Sequence, residues 1–271
     1  MSTATGTQAS ASGGAPLASV LLKPDDDDPR LAYAKWCDAQ LLTPSTTARG
    51  VFIRNQIARL NRRNTGTLPE LRKLAAEANN ARAEHGDAWD QPLRSLASSV
   101  EYDRGFVELV RMSASAFRDK AVAIRKLAPV RHLDLTGVVE AGPGFLASEV
   151  LAGVRSLSMD RCGLTDREIA DLAGSPHVGE LRWLSIGDNL LTVKSGEAMA
   201  SSKNLGKLVY AGFLGNPYDP TNRYSHDGEI VGSIWLPIEG KRLEAKHRGP
   251  IAWLHWVGHT SAELIPDRFR V

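Results

Sequence analysis

The chain has 271 residues, 42% of them apolar and 24% charged, with a formal charge of +2. That suits a globular protein with a sizeable core and excludes one whose main task is coating nucleic acid. Two distant cysteines, Cys37 and Cys162, form no disulfide framework, and the apolar runs fall far short of the ~20 residues that span a bilayer, so a reducing cytoplasm is the expected compartment.

Residues 1–16, "MSTATGTQASASGGAP", carry no Lys or Arg and no apolar core, which predicts a disordered tail rather than a secretory signal. Residues 17–98 read as a helical domain. Asp25 to Asp28 are followed by Pro29, a favoured first-turn residue, and so sit at a helix start, where the macrodipole favours negative charge. Adjacent carboxylates diverge and no turn glycine accompanies them, so no metal site is expected there. Tyr33, Trp36, Cys37 and Leu41 then make one apolar stripe. "RGVFIRNQIARLNRR" turns Ile53, Ile57 and Leu60 inward and leaves Arg49, Arg54, Arg59, Arg62 and Arg63 on other faces. "LPELRKLAAEANNARAEHGDAW" is a further amphipathic helix.

From residue 99 to 217 one pattern recurs. "LRWLSIGDNLL" places Leu181, Leu184, Ile186 and Leu191 around Asn189, and "VRSLSMDRCGL" repeats those offsets with Val154, Leu157, Met159, Cys162 and Leu164. "VRHLDLTGV" gives Val130, Leu133 and Leu135; "LGKLVYAGF" gives Leu205, Leu208 and Tyr210; and "FVELVRM" gives Phe106 and Leu109, with Arg111 where an apolar residue belongs. The anchors 109, 133, 157, 184 and 208 are separated by 24, 24, 27 and 24 residues. Alternate residues of a short strand then enter a shared core, while Asn189 or Cys162 bonds backbone of the adjoining coil. Val138 and Phe213 fall at the Asn/Cys position and break the pattern.

The returning segments are helical. Thr165 and Glu168 have capping-box spacing ahead of Ile169 and Leu172, with Gly174 and Pro176 as stops. Phe117, Ala121 and Ile124 line a second helix ending before Pro129, whereas "GPGFLASEVLAG" and "VKSGEAMASSKN" read as short or irregular turns. Residues 218–271, with Trp235, Trp253, Trp256 and a short helix in "PIEGKRLEAKH", are expected to cap the open apolar end.

The repeats resemble the leucine-rich repeat, L-x-x-L-x-L-x-x-N/C-x-L, whose period is about 20–29 residues. "PDDDDPRLAYAKW", "RGVFIRNQIARL", "RGFVELV" and "GNPYDPTNRYS" resemble the repeat-companion domain of a set of bacterial leucine-rich-repeat proteins. The resemblance implies an α/β fold, a short leucine-rich-repeat solenoid of parallel strands between a small α-helical domain and a C-terminal cap. It implies presumed binding roles and no particular activity.

No phosphate loop and no nucleophile elbow is present. His255 and His259 are four apart, but Trp256 stands where a zinc protease has Glu. His132, Asp134 and Ser158 are placed on neighbouring strands without a motif that makes them a triad. The expectation is a non-enzymatic scaffold or regulator without cofactor or metal, binding a protein partner; an immunity or inhibitor protein directed at a bacterial toxin is one form of it. Its face would comprise His132, Asp134, Arg155, Ser158, Arg182, Trp183, Ser185 and Lys207, with Asp160, Arg161 and Asp188 at the rim. Trp183 is either its aromatic anchor or a packed side chain. The alternative is nucleic-acid binding through the basic helix at 49–63.

Overall fold

The computed structural model describes residues 14–40, 43–221, 229–231 and 234–255. The chain divides into two compact units: residues up to Gln91 together with Arg104–Phe106, and Pro92–Asp103 together with Val107 onward. Among the described residues no helix is long and apolar enough to cross a membrane.

The first unit is helical, with α1 (Gly14–Leu22), α2 (Asp27–Gln40), α3 (Pro44–Arg62) and α4, which starts at Leu68 and runs to Arg94. Asp27 and Asp28 occupy the first turn of α2, as the macrodipole favours. Arg104 binds this stretch, donating to the carbonyls of Pro24 (2.9 Å) and Asp25 (2.7 Å) with Asp27 3.4 Å away. Thr43 caps α3, whose Pro44 needs no N–H partner. Val20, Ala34, Ile53, Ile57 and Phe106 form the core, with Tyr33 packed against them. Of the expected stripe, Cys37 is buried and Trp36 half-buried, while Leu41 lies outside the described residues. Burial pushes the Cys37 thiol up to about 11, so it stays protonated. Periodicity did not anticipate Arg30, which is fully buried, donates to Arg104 O and Pro24 O, and lies 5.4 Å from the Phe106 ring centroid.

The second unit begins with β1 (Ser99–Asp103) and β2 (Phe106–Ser113), followed by α5 (Ala114–Leu127), β3 (His132–Thr136) and β4 (Ser156–Ser158). It continues with α6 (Asp166–Gly174), β5 (Trp183–Ser185), α7 (Val193–Ser201) and β6 (Tyr210–Gly212). These strands form one sheet in sequential order, and β2 to β6 pair in parallel. The sheet is not parallel throughout, because the two-residue turn at Arg104 and Gly105 folds β1 back beside β2. Then come β7 (Glu229–Val231) and β8 (Ile234–Leu236), an antiparallel pair, and α8 (Ile238–His247). The result is a mixed α/β domain with a helical N-terminal region and a C-terminal helix.

Leu133 pairs with Leu157 and Leu157 with Leu184, as the recurring spacing predicts. The two outer strands differ from expectation. Leu184 faces Ala211, not Leu208, so the last interval is 27 residues, and Leu208, Ala211 and Phe213 occupy the places of Leu181, Leu184 and Ile186. Both alignments offer apolar residues at the anchor positions, and only backbone pairing separates them. In β2 the partner of Leu133 is Val110, not Leu109, and Arg111 faces Asp134. Residues 106–110 are all buried, so alternation there does not reveal the face, and a one-residue slip reverses it.

The shifted register resolves the irregularity at Phe213, because Asn216 now stands 27 residues after Asn189. Asn189 Nδ2 donates to the carbonyls of Met159, Ile186 and Gly187, each at 3.0 Å, and its Oδ1 accepts from the N–H groups of Cys162 and Leu164, also at 3.0 Å. Asn216 likewise donates to Ile186 O and Phe213 O and accepts from Leu191 N. Cys162 Sγ donates to Leu135 O at 3.3 Å. Each side chain thus reaches the carbonyl of the inward residue one coil earlier, satisfying backbone groups that the turn leaves without ladder partners. The preceding residue is left-handed after each of β3 to β6: Gly137 (φ 61°), Arg161 (56°), Asp188 (51°) and Gly215 (82°), spaced 24, 27 and 27 apart. Arginine and aspartate accept a conformation that favours glycine, which shows how strongly the turn is imposed.

The returning segments differ in kind. Thr165 and Glu168 close the expected capping box on α6, and Ser113 caps α5. The weak segment at 193–201 is a regular nine-residue helix, α7, while 149–151 is a single 3-10 turn. α7 has help from the coil before it: Asp166 accepts from Thr192 N and Oγ (2.9 and 2.5 Å) and from Ser195 N and Oγ (3.2 and 2.5 Å). Partial burial opposes ionisation of Asp166, yet these bonds outweigh it and hold the carboxyl below its ordinary value. Glu168 is lowered in the same way by Thr165. A lowered folded pKa stabilises fully above the unfolded value of about 4 and loses that contribution as pH falls through the folded value. Urea midpoints are therefore expected to drop between about pH 5 and pH 3, and less steeply for Asp166→Asn.

Leu236, Leu243, Trp253 and Leu254 join the same core, and Trp253 stacks on Phe213 with centroids 5.8 Å apart. Gly196 in α7 makes room for this end, since a Cβ there would lie 2.8 Å from the Tyr218 ring. Trp253 therefore packs on the last coil. Trp256 and His259 lie outside the described residues, as does the Trp235 side chain.

Candidate binding face of the parallel sheet

Inward residues of β2 to β6 build the core, so the opposite side chains are the ones available for other work. Register sorts them into two rows. Leu109, His132, Ser156, Trp183 and Tyr210 form the first; Arg111, Asp134, Ser158, Ser185 and Gly212 form the second.

The first row is mostly closed. His132, Ser156 and Trp183 are 4%, 0% and 7% exposed. Trp183 stacks on Tyr210 with centroids 5.0 Å apart and planes at 10°, and the Tyr210 hydroxyl folds over Gly212, 2.7 Å from where a Cβ would stand. Of the two expectations for Trp183, this geometry matches packing. His132 Nε2 is 3.9 Å from the fully buried Glu108 carboxylate, which Arg131 engages through Nε at 3.2 Å and Nη2 at 2.5 Å. Sequence reading missed both partners of that buried ion pair, since Glu108 lies in an apolar run and Arg131 resembles the half-exposed Arg155 and Arg182. Ser156, also missed, has an Oγ without a hydrogen-bond partner among the described residues.

The second row is more open and polar. Arg111 is exposed, and its Nε and Nη2 each lie 2.8 Å from Asp134 Oδ2. Ser158 is buried at 8% exposure, whereas Ser185 is half-buried and donates to Asp160 at 2.7 Å. Asp160 also accepts from Gly187 N at 2.7 Å, and Arg161 and Asp188 are exposed at the left-handed turns. Arg111→Ala is expected to cost less than about 1 kcal/mol in urea denaturation, because exposed ion pairs are screened by water.

Not every expected residue joins this face. Arg155 and Arg182 precede the strands, where their carbonyls each accept two N–H bonds from the next coil. Lys207 lies three residues before β6 and pairs with Glu180, a consequence of the shifted register. Asp134 and Ser158 face each other across strands, but His132 is one row away beside Ser156. His255 Nε2 sits 2.5 Å from Glu244, which also accepts Ile251 N, so this carboxylate ties the C-terminal turn to α8. Among the described residues no group of three or more His, Cys, Asp or Glu is placed to hold a metal ion.

The basic helix α3 is also partly engaged. Arg54 makes a two-pronged ion pair with Asp38 at 2.6 and 3.2 Å, and the Arg49 guanidinium lies 4.8 Å from the Trp89 ring centroid. Arg59, Arg62 and Arg63 remain exposed at its C-terminal end.

No family model, curated protein or solved structure matches the chain.

Proposed function

We propose that β2 to β6 are the strands of leucine-rich-repeat coils and that their outward side is a docking surface for a protein partner, with no catalytic step. One observation carries this reading: the Asn189, Asn216 and Cys162 bonds recur between successive coils, at the same place as the left-handed residues. A frame held by its inward and turn residues leaves Arg111, Asp134 and Ser185, with Asp160 and Asp188 at the rim, free of any core-forming role. Such a polar, mixed-charge strip suits a hydrated protein interface more than an apolar ligand. In a cell it would act by occupying its partner's surface, as a scaffold, a regulator, or an immunity protein that blocks a bacterial toxin.

The test is affinity capture from the native host, followed by titration of the captured protein. Arg111→Glu combined with Ser185→Arg should weaken binding about tenfold or more. Unchanged affinity would remove the sheet from the reading. Salt-sensitive heparin retention that disappears on replacing Arg59 and Arg62 would instead favour nucleic acid on α3.

A further inference from the structure

Beside α6, away from the strand rows, lies a cavity of about 200 Å³ that the protein-docking reading does not use. Its apolar wall is Val138, Phe145 and Leu146, each nearly fully buried. Gly144 (φ 80°) borders it with no heavy atom within 4 Å of where a Cβ would stand, so backbone is open to an incoming group. The loop is anchored from behind by Arg118, whose Nη1 donates to Ala141 O at 2.6 Å. At the mouth stand Arg167 and Asp171, one helical turn apart on α6. That spacing favours a mutual ion pair, yet neither side chain has a hydrogen bond or ion pair among the described residues. The third charge at the mouth, Glu168, is occupied by Thr165 N and Oγ.

An apolar chamber whose entrance carries a cation and an anion without a hydrogen bond or ion pair, the Arg167 charge acting only through space on Glu168, complements an apolar zwitterion. We propose that this cavity binds a free apolar amino acid of about leucine size: the ammonium on Asp171, the carboxylate on Arg167, and the side chain against Val138, Phe145 and Leu146. The cavity is smaller than the ~300–1,000 Å³ that enclose drug-sized ligands, which limits it to such a molecule. Because Arg167 is exposed and Asp171 only half-buried, water screens both charges and a dissociation constant of about 1 mM is expected.

Amide chemical shifts of the labelled full chain, titrated with L-leucine, test this. Saturable shifts are expected at 138–146 and 167–171, with L-leucinamide, 4-methylpentanoate and glycine each binding about fivefold or more weakly. Arg167→Gln should weaken leucine while leaving leucinamide unchanged, and Asp171→Asn should weaken leucine while leaving 4-methylpentanoate unchanged. These surface replacements leave the buried wall intact. Absence of saturable shifts, or leucinamide or 4-methylpentanoate binding as tightly as leucine, would overturn the assignment. Neither outcome bears on the sheet face, whose residues lie outside this cavity.

Discussion

Asn189→Ala is expected to lower the free energy of unfolding by about 4 kcal/mol or more. The side chain is 4% exposed and makes five hydrogen bonds, all to backbone. Removing it leaves the N–H groups of Cys162 and Leu164 without that acceptor and the Met159 carbonyl without that donor, while the Ile186 carbonyl keeps Asn216 and the Gly187 carbonyl keeps Arg161 N. Each buried polar group stranded in this way costs about 1–3 kcal/mol, and water entering the small space recovers part of the sum. Asn216→Ala should cost less, because Asn216 is half-buried and makes three such bonds. Urea denaturation checks the order; equal losses below about 1 kcal/mol would mean the turns do not depend on these amides.

Trp183→Ala is expected to cost about 3–5 kcal/mol, the range for deleting a buried aromatic side chain. It removes a ring that is 7% exposed and stacked on Tyr210, so the damage falls on the sheet itself before any partner is considered. A tryptophan acting purely as an interface anchor would behave oppositely, with stability unchanged and affinity lost. Trp183→Phe separates the two, since it keeps a stacking ring and should restore most of the stability. Should Trp183→Ala unfold at the wild-type urea concentration, the packing assignment fails.

The sequence made the pairing of Leu133, Leu157 and Leu184 legible because inward positions tolerate little besides Leu, Ile, Val and Met. It misplaced the ends. Near Leu208 two alignments satisfy the apolar code equally, and the decisive Asn216 lies beyond the window from Leu205 to Phe213. In β2 both faces are buried, so the period-two signal that distinguishes them is absent. The face was harder still. His132 and Trp183 alternate with core residues, which predicts the side of the sheet but not how much of that side neighbouring groups close off. Arg30 and the Glu108–Arg131 pair escaped notice because burial of charge depends on partners distant in the chain, which no local pattern reports.

Residue-for-residue pairing of β2 to β6 underlies both the proposed docking face and the Asn189 and Asn216 bonds, and engineered cross-linking measures it directly. Ser158 and Ser185 are register partners on adjacent parallel strands, so their Cα atoms fall within the roughly 4.4–6.8 Å that a disulfide spans. Ser158→Cys with Ser185→Cys should link on mild oxidation, while Ser158→Cys with Arg182→Cys, three residues out of register, should stay reduced. Linkage of the second pair and not the first would contradict the stacking.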